Sequence, residues 1–82
     1  MLFRSFKHFK HVATHETEPP SLTFIENYHG FEIYSSEFNT DLRIVKNPTD
    51  NKYHAFESTQ ANTDLNKKIK PIITTLWGPF NQ

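Results

Sequence analysis

Three histidines near the N-terminus are the side chains whose spacing best suits metal chemistry. His8, His11 and His15 recur at intervals of three and four residues, which on an α-helix places their imidazoles on one face. Neutral imidazole is a common ligand of transition metals. However, no carboxylate is fixed at a matching spacing, and Arg4 shares the predicted face and would repel a cation. We therefore predict no metal and no cofactor, and keep a metal-binding N-terminal helix as a lesser alternative.

Motifs of enzymes are missing from the sequence. Two glycines are too few for a dinucleotide-binding or phosphate-binding loop, and there is no G-x-S-x-G or H-E-x-x-H motif. The chain has no cysteine to act as a nucleophile. Serines and histidines are frequent enough that a chance set of triad residues is expected, and His54 is predicted to be a hydrogen-bonded core histidine. We predict a protein that is not an enzyme and has no catalytic residues.

The first fifteen residues combine a regular aromatic repeat with basic side chains. Phe3, Phe6 and Phe9 recur at every third position, and Arg4 and Lys7 occupy the opposite side of a helical projection. This pattern predicts a basic amphipathic helix over residues 1–15. Residues 16–21 contain two consecutive prolines, which cannot continue a helix, so they are predicted to be a linker.

Residues 22–82 are predicted to form one α+β domain. Alternating apolar residues, rich in aromatic and β-branched types, predict a four-stranded antiparallel sheet made of two hairpins. The predicted strands are 22–28, 31–38, 41–46 and 52–58. His29-Gly30 is a plausible two-residue turn, and 47–51 is the loop of the second hairpin.

A C-terminal helix is predicted to pack on one face of the sheet. Its apolar stripe at helical spacing consists of Ala61, Leu65, Ile69, Ile72, Ile73 and Leu76. Ser58 or Thr59 is expected to cap its start, and Gly78 followed by proline is expected to end it. Pro71 lies inside the stripe and predicts a kink or a break into two shorter helices.

The predicted register assigns side chains to the two faces of the sheet. One face is expected to carry Phe24, Tyr28, Phe31, Ile33, Leu42, Ile44, His54 and Phe56. The other is expected to carry Ile25, Tyr34, Arg43, Val45, Tyr53 and Ala55.

Charge and composition bound the class of protein. The 82 residues carry no net charge, but residues 16–42 contain six acidic side chains and no basic one, between two basic ends. No apolar run is long enough for a membrane span, and the absence of cysteine excludes a disulfide framework. We expect a cytoplasmic protein. A chain this short has a small core, so formation of a homodimer would help to stabilise it.

The segments YHGFEIY (28–34), DLRIVK (41–46) and the closing helix give a pattern that resembles small hairpin-plus-helix accessory proteins of tailed phages. Many proteins with this appearance bind and inhibit host factors. The resemblance therefore implies an inhibitor encoded by a mobile element, acting in the host cytoplasm as a counter-defence protein.

Protein binding is the leading functional prediction. An aromatic N-terminal helix on a linker and an acidic block would together occlude a basic partner, such as a nuclease or another nucleic-acid-handling factor. The predicted binding residues are Phe3, Phe6, Phe9, Glu26, Glu32 and Glu37.

Two alternatives use other features of the same chain. In the first, basic side chains and an aromatic sheet face bind RNA or single-stranded nucleic acid through Arg4, Lys7, Lys10, Tyr34, Arg43 and Tyr53. In the second, the amphipathic N-terminal helix lies on a membrane surface.

Overall fold

The computed structural model describes residues 6, 8–60 and 64–80. The described elements are β1 (Phe9–His15), β2 (Leu22–Tyr28), β3 (Phe31–Ser36), β4 (Leu42–Lys46), β5 (Tyr53–Ser58) and α1 (Leu65–Trp77). The strands form one antiparallel sheet in the order β1-β5-β4-β3-β2, so β1 and β2 are its two edges. The α+β class, the antiparallel sheet and the C-terminal helix are confirmed.

The predicted N-terminal helix is wrong over residues 9–15, which form β1. Residues 1–5 and 7 of that prediction lie outside the described part of the chain. Four consecutive residues of β5, Tyr53 to Phe56, are buried, which makes β5 an interior strand. An interior strand needs backbone partners on both sides, and β1 supplies them from the side opposite β4. This long-range pairing outweighs the three-residue aromatic repeat.

The turn of the first hairpin is confirmed, but its faces are partly reversed. His29 and Gly30 both have positive φ (53° and 90°), as a type I′ turn requires. A β-bulge at Ile25 shifts the register between Phe24 and Glu26. Because an extra residue reverses the alternation of side chains, Ile25 packs against the core and Phe24 lies on the opposite face.

The second hairpin is displaced by one residue from the predicted register. The amide of Asn47 donates to the carbonyl of Lys52 (3.0 Å), so the loop is 48–51 rather than 47–51. Arg43 therefore pairs with Phe56 and Val45 with His54, and these four side chains share a face. The opposite face carries Leu42, Ile44, Tyr53 and Ala55.

The C-terminal helix is one continuous segment with the predicted stripe. Asp64, not Ser58 or Thr59, caps its start by accepting a hydrogen bond from the Lys67 amide (3.2 Å). The helix continues through Pro71 without breaking and is capped by Gly78, whose amide donates to Thr74 (2.8 Å). The predicted stripe residue Ala61 lies outside the described residues.

Two clusters of buried side chains lie on opposite faces of the sheet. On the face covered by α1, here called the helix face, the core comprises Phe9, Phe31, Ile33, Val45, Phe56, Ile69, Ile72 and Ile73. On the other face a smaller cluster of Ile44, Tyr53 and Ala55 is buried. The residues of α1 pack only against the first cluster, so other residues must cover this one.

The segment 16–21, here called the crossing segment, runs over that second face, where Val12, Ala13, Leu22 and Tyr34 pack against the buried cluster. It leaves β1 at one edge of the sheet beside the start of β5, and it enters β2 at the other edge beside the end of β3. On its way the Glu18 carboxylate meets the Tyr53 hydroxyl (3.5 Å), so the segment crosses the sheet. We call the face of the sheet that carries Ile44, Tyr53 and Ala55 the tether face.

Candidate protein-binding surface

The aromatic residues of the N-terminal segment do not project from the domain. Phe9 has no exposed surface and lies in the main core, and Phe6 packs edge-on to Phe56 with ring centroids 6.3 Å apart. Lys10 is exposed on β1 opposite Glu57. Phe3, Arg4 and Lys7 were also predicted to bind partners, and they lie outside the described residues.

The three acidic residues predicted to bind a partner lie in three different environments. Glu26 points toward the helix face and forms an ion pair with Lys70 of α1 (2.8 Å). Glu32 lies on the tether face and accepts a hydrogen bond from the Tyr34 hydroxyl. Glu37 is exposed in the loop after β3. Only Glu32 and Glu37 therefore remain candidates for one shared surface.

The three sheet residues predicted to stack on nucleic-acid bases are also separated. Tyr34 and Tyr53 share the tether face, with ring centroids 6.4 Å apart, but Tyr53 is buried. Arg43 lies on the helix face, where its Nε donates to Asn66 (2.7 Å) and burial lowers its pKa. The placement of Arg43 opposite to the prediction follows from the one-residue shift of the second hairpin.

The histidines predicted to share a helical face are spread along an extended chain. His8 bonds Gln60 (2.8 Å), His11 stacks on Phe56, and His15 is exposed. Within residues 6, 8–60 and 64–80, no three His, Cys, Asp or Glu side chains converge as a metal ion would require.

The buried histidine of β5 only partly matches its prediction. His54 is buried, and its Nε2 pairs with the Asp50 carboxylate (3.1 Å). Its Nδ1 has no hydrogen-bond partner among the described atoms. His54 is therefore a core residue, as predicted, but only one of its two nitrogens is satisfied.

Two large aromatic side chains are exposed near the β2 edge of the sheet. Phe38, in the loop after β3, is 78% exposed, and Phe24 of β2 is 55% exposed. Phe24 meets Tyr34 edge-to-face on the tether face, with centroids 5.6 Å apart. The loop holding Phe38 is fixed beside the start of β2, because the Glu37 amide donates to the Ser21 carbonyl (3.0 Å).

Three acidic side chains lie in the same region: Glu18 and Glu32 on the tether face, and Glu37 directly before Phe38. Glu18 reaches the tether face from the crossing segment, and Glu32 lies there beside Tyr34. The hydrogen bond to Glu32, with a smaller effect of burial, raises the pKa of Tyr34, so its hydroxyl stays a neutral donor at physiological pH. A single lysine, Lys46, lies opposite Glu32 in the adjacent strand. We call this surface the aromatic–acidic patch, consisting of Glu18, Phe24, Glu32, Tyr34, Glu37 and Phe38.

The patch adjoins an open strand edge. β2 pairs with β3 on one side only and ends the sheet, so the backbone groups on its other side can accept a further strand. Exposed edges of this kind are used for binding by strand addition. The patch thus offers apolar rings, negative charge and backbone hydrogen-bonding groups within one region.

Sequence reasoning missed both exposed phenylalanines. Phe24 was assigned to the core, because the bulge at Ile25 leaves no mark in the alternation of residue types. Phe38 did carry a signal: it is a lone aromatic between Ser-Ser-Glu and Asn-Thr-Asp, in a stretch of turn-forming residues. An aromatic residue in a polar loop has no core to enter and is therefore expected at the surface.

Comparison with known proteins finds no family, no curated protein and no solved structure that matches this chain. The resemblance to phage accessory proteins consequently stays a prediction. In the described part of the chain, no helix is long and apolar enough to cross a membrane.

Proposed function

We propose that this protein is a non-enzymatic binding protein that occludes a basic surface on a partner protein through the aromatic–acidic patch. The exposure of Phe24 and Phe38 is the observation that carries this proposal. Both rings lie near one edge of the sheet, whereas the other phenylalanines among the described residues are half-buried or buried.

The exposed rings supply the favourable free energy of such an interaction. Full burial of a phenylalanine side chain contributes about 1.5–3 kcal/mol, and aromatic residues are enriched at the centres of protein interfaces. Most of this free energy of burial is still available at Phe38, because 78% of the residue is exposed. The rings of Phe24 and Tyr34 already hold each other in place, so little side-chain entropy remains to be lost on binding.

The acidic groups determine what kind of partner fits. Glu18, Glu32 and Glu37 place negative charge in the same region as the rings, which attracts a basic surface and repels nucleic-acid phosphates. Basic surfaces are typical of proteins that bind nucleic acids. A nuclease or another nucleic-acid-handling protein is therefore the partner class, and covering its basic surface would block its access to substrate.

The proposal is tested by affinity capture from a lysate with and without nuclease treatment. A Phe24→Ala/Phe38→Ala double variant should lose the captured protein, and Glu18→Gln/Glu37→Gln should weaken capture more at low salt than at high salt. Glu16→Gln removes one acidic charge from an exposed residue directly after β1, at the edge of the sheet opposite β2, and should behave as wild type.

Three results would contradict the proposal. Unchanged capture by the double phenylalanine variant would exclude the patch. Capture that disappears after nuclease treatment would favour the nucleic-acid alternative. Self-association of the wild-type chain that the double variant abolishes, measured by sedimentation, would assign the patch to a homodimer.

A further inference from the structure

A concave region separate from the aromatic–acidic patch lies at the end of the sheet, where the β2–β3 turn, the β4–β5 loop and the residues after α1 meet. It is a cleft of about 390 Å³. Its aromatic wall is made by Trp77, Phe80 and the small exposed part of Phe31, which is 5% exposed, and Asp50 also lines it. This volume lies within the range of small-molecule sites, which is about 300–1,000 Å³.

The aromatic wall is held rigidly by ring-to-ring contacts. Phe31 and Trp77 stack with centroids 5.2 Å apart and planes 22° apart, and Phe80 lies 5.5 Å from Phe31 at 54°. The outer ring, Phe80, is itself stacked on His29 at 4.6 Å. The three rings therefore form a fixed concave surface instead of a set of freely rotating side chains.

The carboxylate that lines the cleft is also fixed. One oxygen of Asp50 accepts the Lys52 amide (2.8 Å), and the other pairs with Nε2 of buried His54 (3.1 Å). The Asp50 side chain nevertheless remains 37% exposed. Among the residues that the structure describes, no lysine or arginine lines the cleft to neutralise it.

We propose that this cleft binds an organic ammonium group, held between the aromatic wall and the Asp50 carboxylate. Aromatic rings attract alkylated ammonium ions through their negative faces, and such ions are weakly hydrated and lose little on entering an apolar site. The carboxylate adds the matching negative charge. The inference does not depend on the aromatic–acidic patch, which has no residue in common with the cleft.

Choline is the probe, and its neutral carbon analogue 3,3-dimethylbutan-1-ol is the matched control, since the two differ in charge and hardly in shape. Trp77 is the single tryptophan of the chain and lines the cleft, so its fluorescence reports occupancy directly. At about pH 8, where an ordinary histidine is neutral, choline should bind with a millimolar dissociation constant and about tenfold more tightly than the alcohol.

Two variants separate the roles of charge and ring. Asp50→Asn should reduce the preference for choline over the alcohol to the part that the aromatic rings supply, and Phe80→Ala should weaken both ligands. Circular dichroism melts establish that each variant is folded at the titration temperature. Should Asp50→Asn fail to fold, the ratio of the two ligands on the wild-type protein still decides the question.

A second titration identifies the source of the ammonium group. An N-acetyl-trimethyllysine amide that binds more tightly than choline indicates a partner's side chain, and the reverse order indicates a small molecule. Equal binding of choline and the alcohol to wild-type protein would overturn the proposal, because it would show a purely apolar cleft. An unchanged fluorescence spectrum with choline would overturn it as well. Either failure leaves the protein-capture experiment, which depends on other residues, unaffected.

Discussion

Replacement of Phe9 by alanine tests whether β1 is part of the domain's core. Phe9 has no exposed surface and belongs to the main buried cluster together with residues of three other strands and α1. The substitution leaves β1's backbone able to pair with β5, so it removes packing without removing hydrogen bonds. Phe38→Ala is the matched control, because it deletes the same atoms from a side chain that is 78% exposed.

The structure sets the size of the expected effect. Truncation of a buried phenylalanine costs about 3–5 kcal/mol, since the lost transfer free energy and the cavity both count. A domain of this length has a free energy of unfolding of about 4–12 kcal/mol. Each kcal/mol shifts the midpoint of a domain this small by about 4–8 °C. Phe9→Ala should therefore lower the midpoint by at least about 12 °C or prevent folding altogether.

Thermal melts followed by circular dichroism, with urea titrations for the free energy, measure both variants. Phe38→Ala should remain within about 0.5 kcal/mol of wild type. A Phe9→Ala protein as stable as the Phe38→Ala protein would refute the reasoning. It would mean that the N-terminal segment is an appendage on a linker, as the aromatic repeat alone suggests.

Three further predictions concern single contacts. Gly78→Ala should destabilise the domain by about 1–3 kcal/mol in urea titrations, because the new Cβ would lie 2.4 Å from the carbonyl oxygen of Thr74. Asp64→Ala should cost about 1 kcal/mol by the same measurement, through loss of the cap of α1. The pKa of Tyr34 is raised by its hydrogen bond to Glu32 and by burial. The neutral hydroxyl therefore stabilises the folded domain below about pH 10, and this stabilisation is lost as the pH rises further. Melts between about pH 9 and pH 11.5 should show a steeper loss of stability for wild type than for Tyr34→Phe.

Local signals predicted much of the fold correctly. The His29-Gly30 turn and the stripe through Ile69 and Ile73 were found because turn geometry and helix periodicity depend on neighbouring residues. The end of the helix at Gly78 was found for the same reason. The cap at Asp64 was missed because Ser58 and Thr59 have side chains that are equally suitable for capping a helix. The structure places Ser58 in β5, so it cannot start the helix.

The errors share one physical origin. The state of residues 9–15 depends on β5, whose paired residues are 38 to 49 positions away in the chain and which needs a partner on its open side. The faces of the sheet depend on one inserted residue at Ile25 and on the loop of the second hairpin, which has four residues (48–51) and not the predicted five (47–51). Each of these differences is a single residue, and each reverses the side on which the following side chains lie.

The charge block of residues 16–42 shows how the fold distributes a run of like charges. Residues 16–42 comprise the crossing segment, β2, β3, the loop after β3 and the first residue of β4. Glu18, Glu32 and Glu37 of this block belong to the aromatic–acidic patch, whereas Glu26 faces α1 and pairs with Lys70. The crossing segment reaches Tyr53 of the second cluster through Glu18. On the tether face this cluster lies on β4 and β5, whereas Phe24 is exposed on β2. The segment predicted to be a linker thus crosses the sheet and supplies Glu18 to the charge of the aromatic–acidic patch.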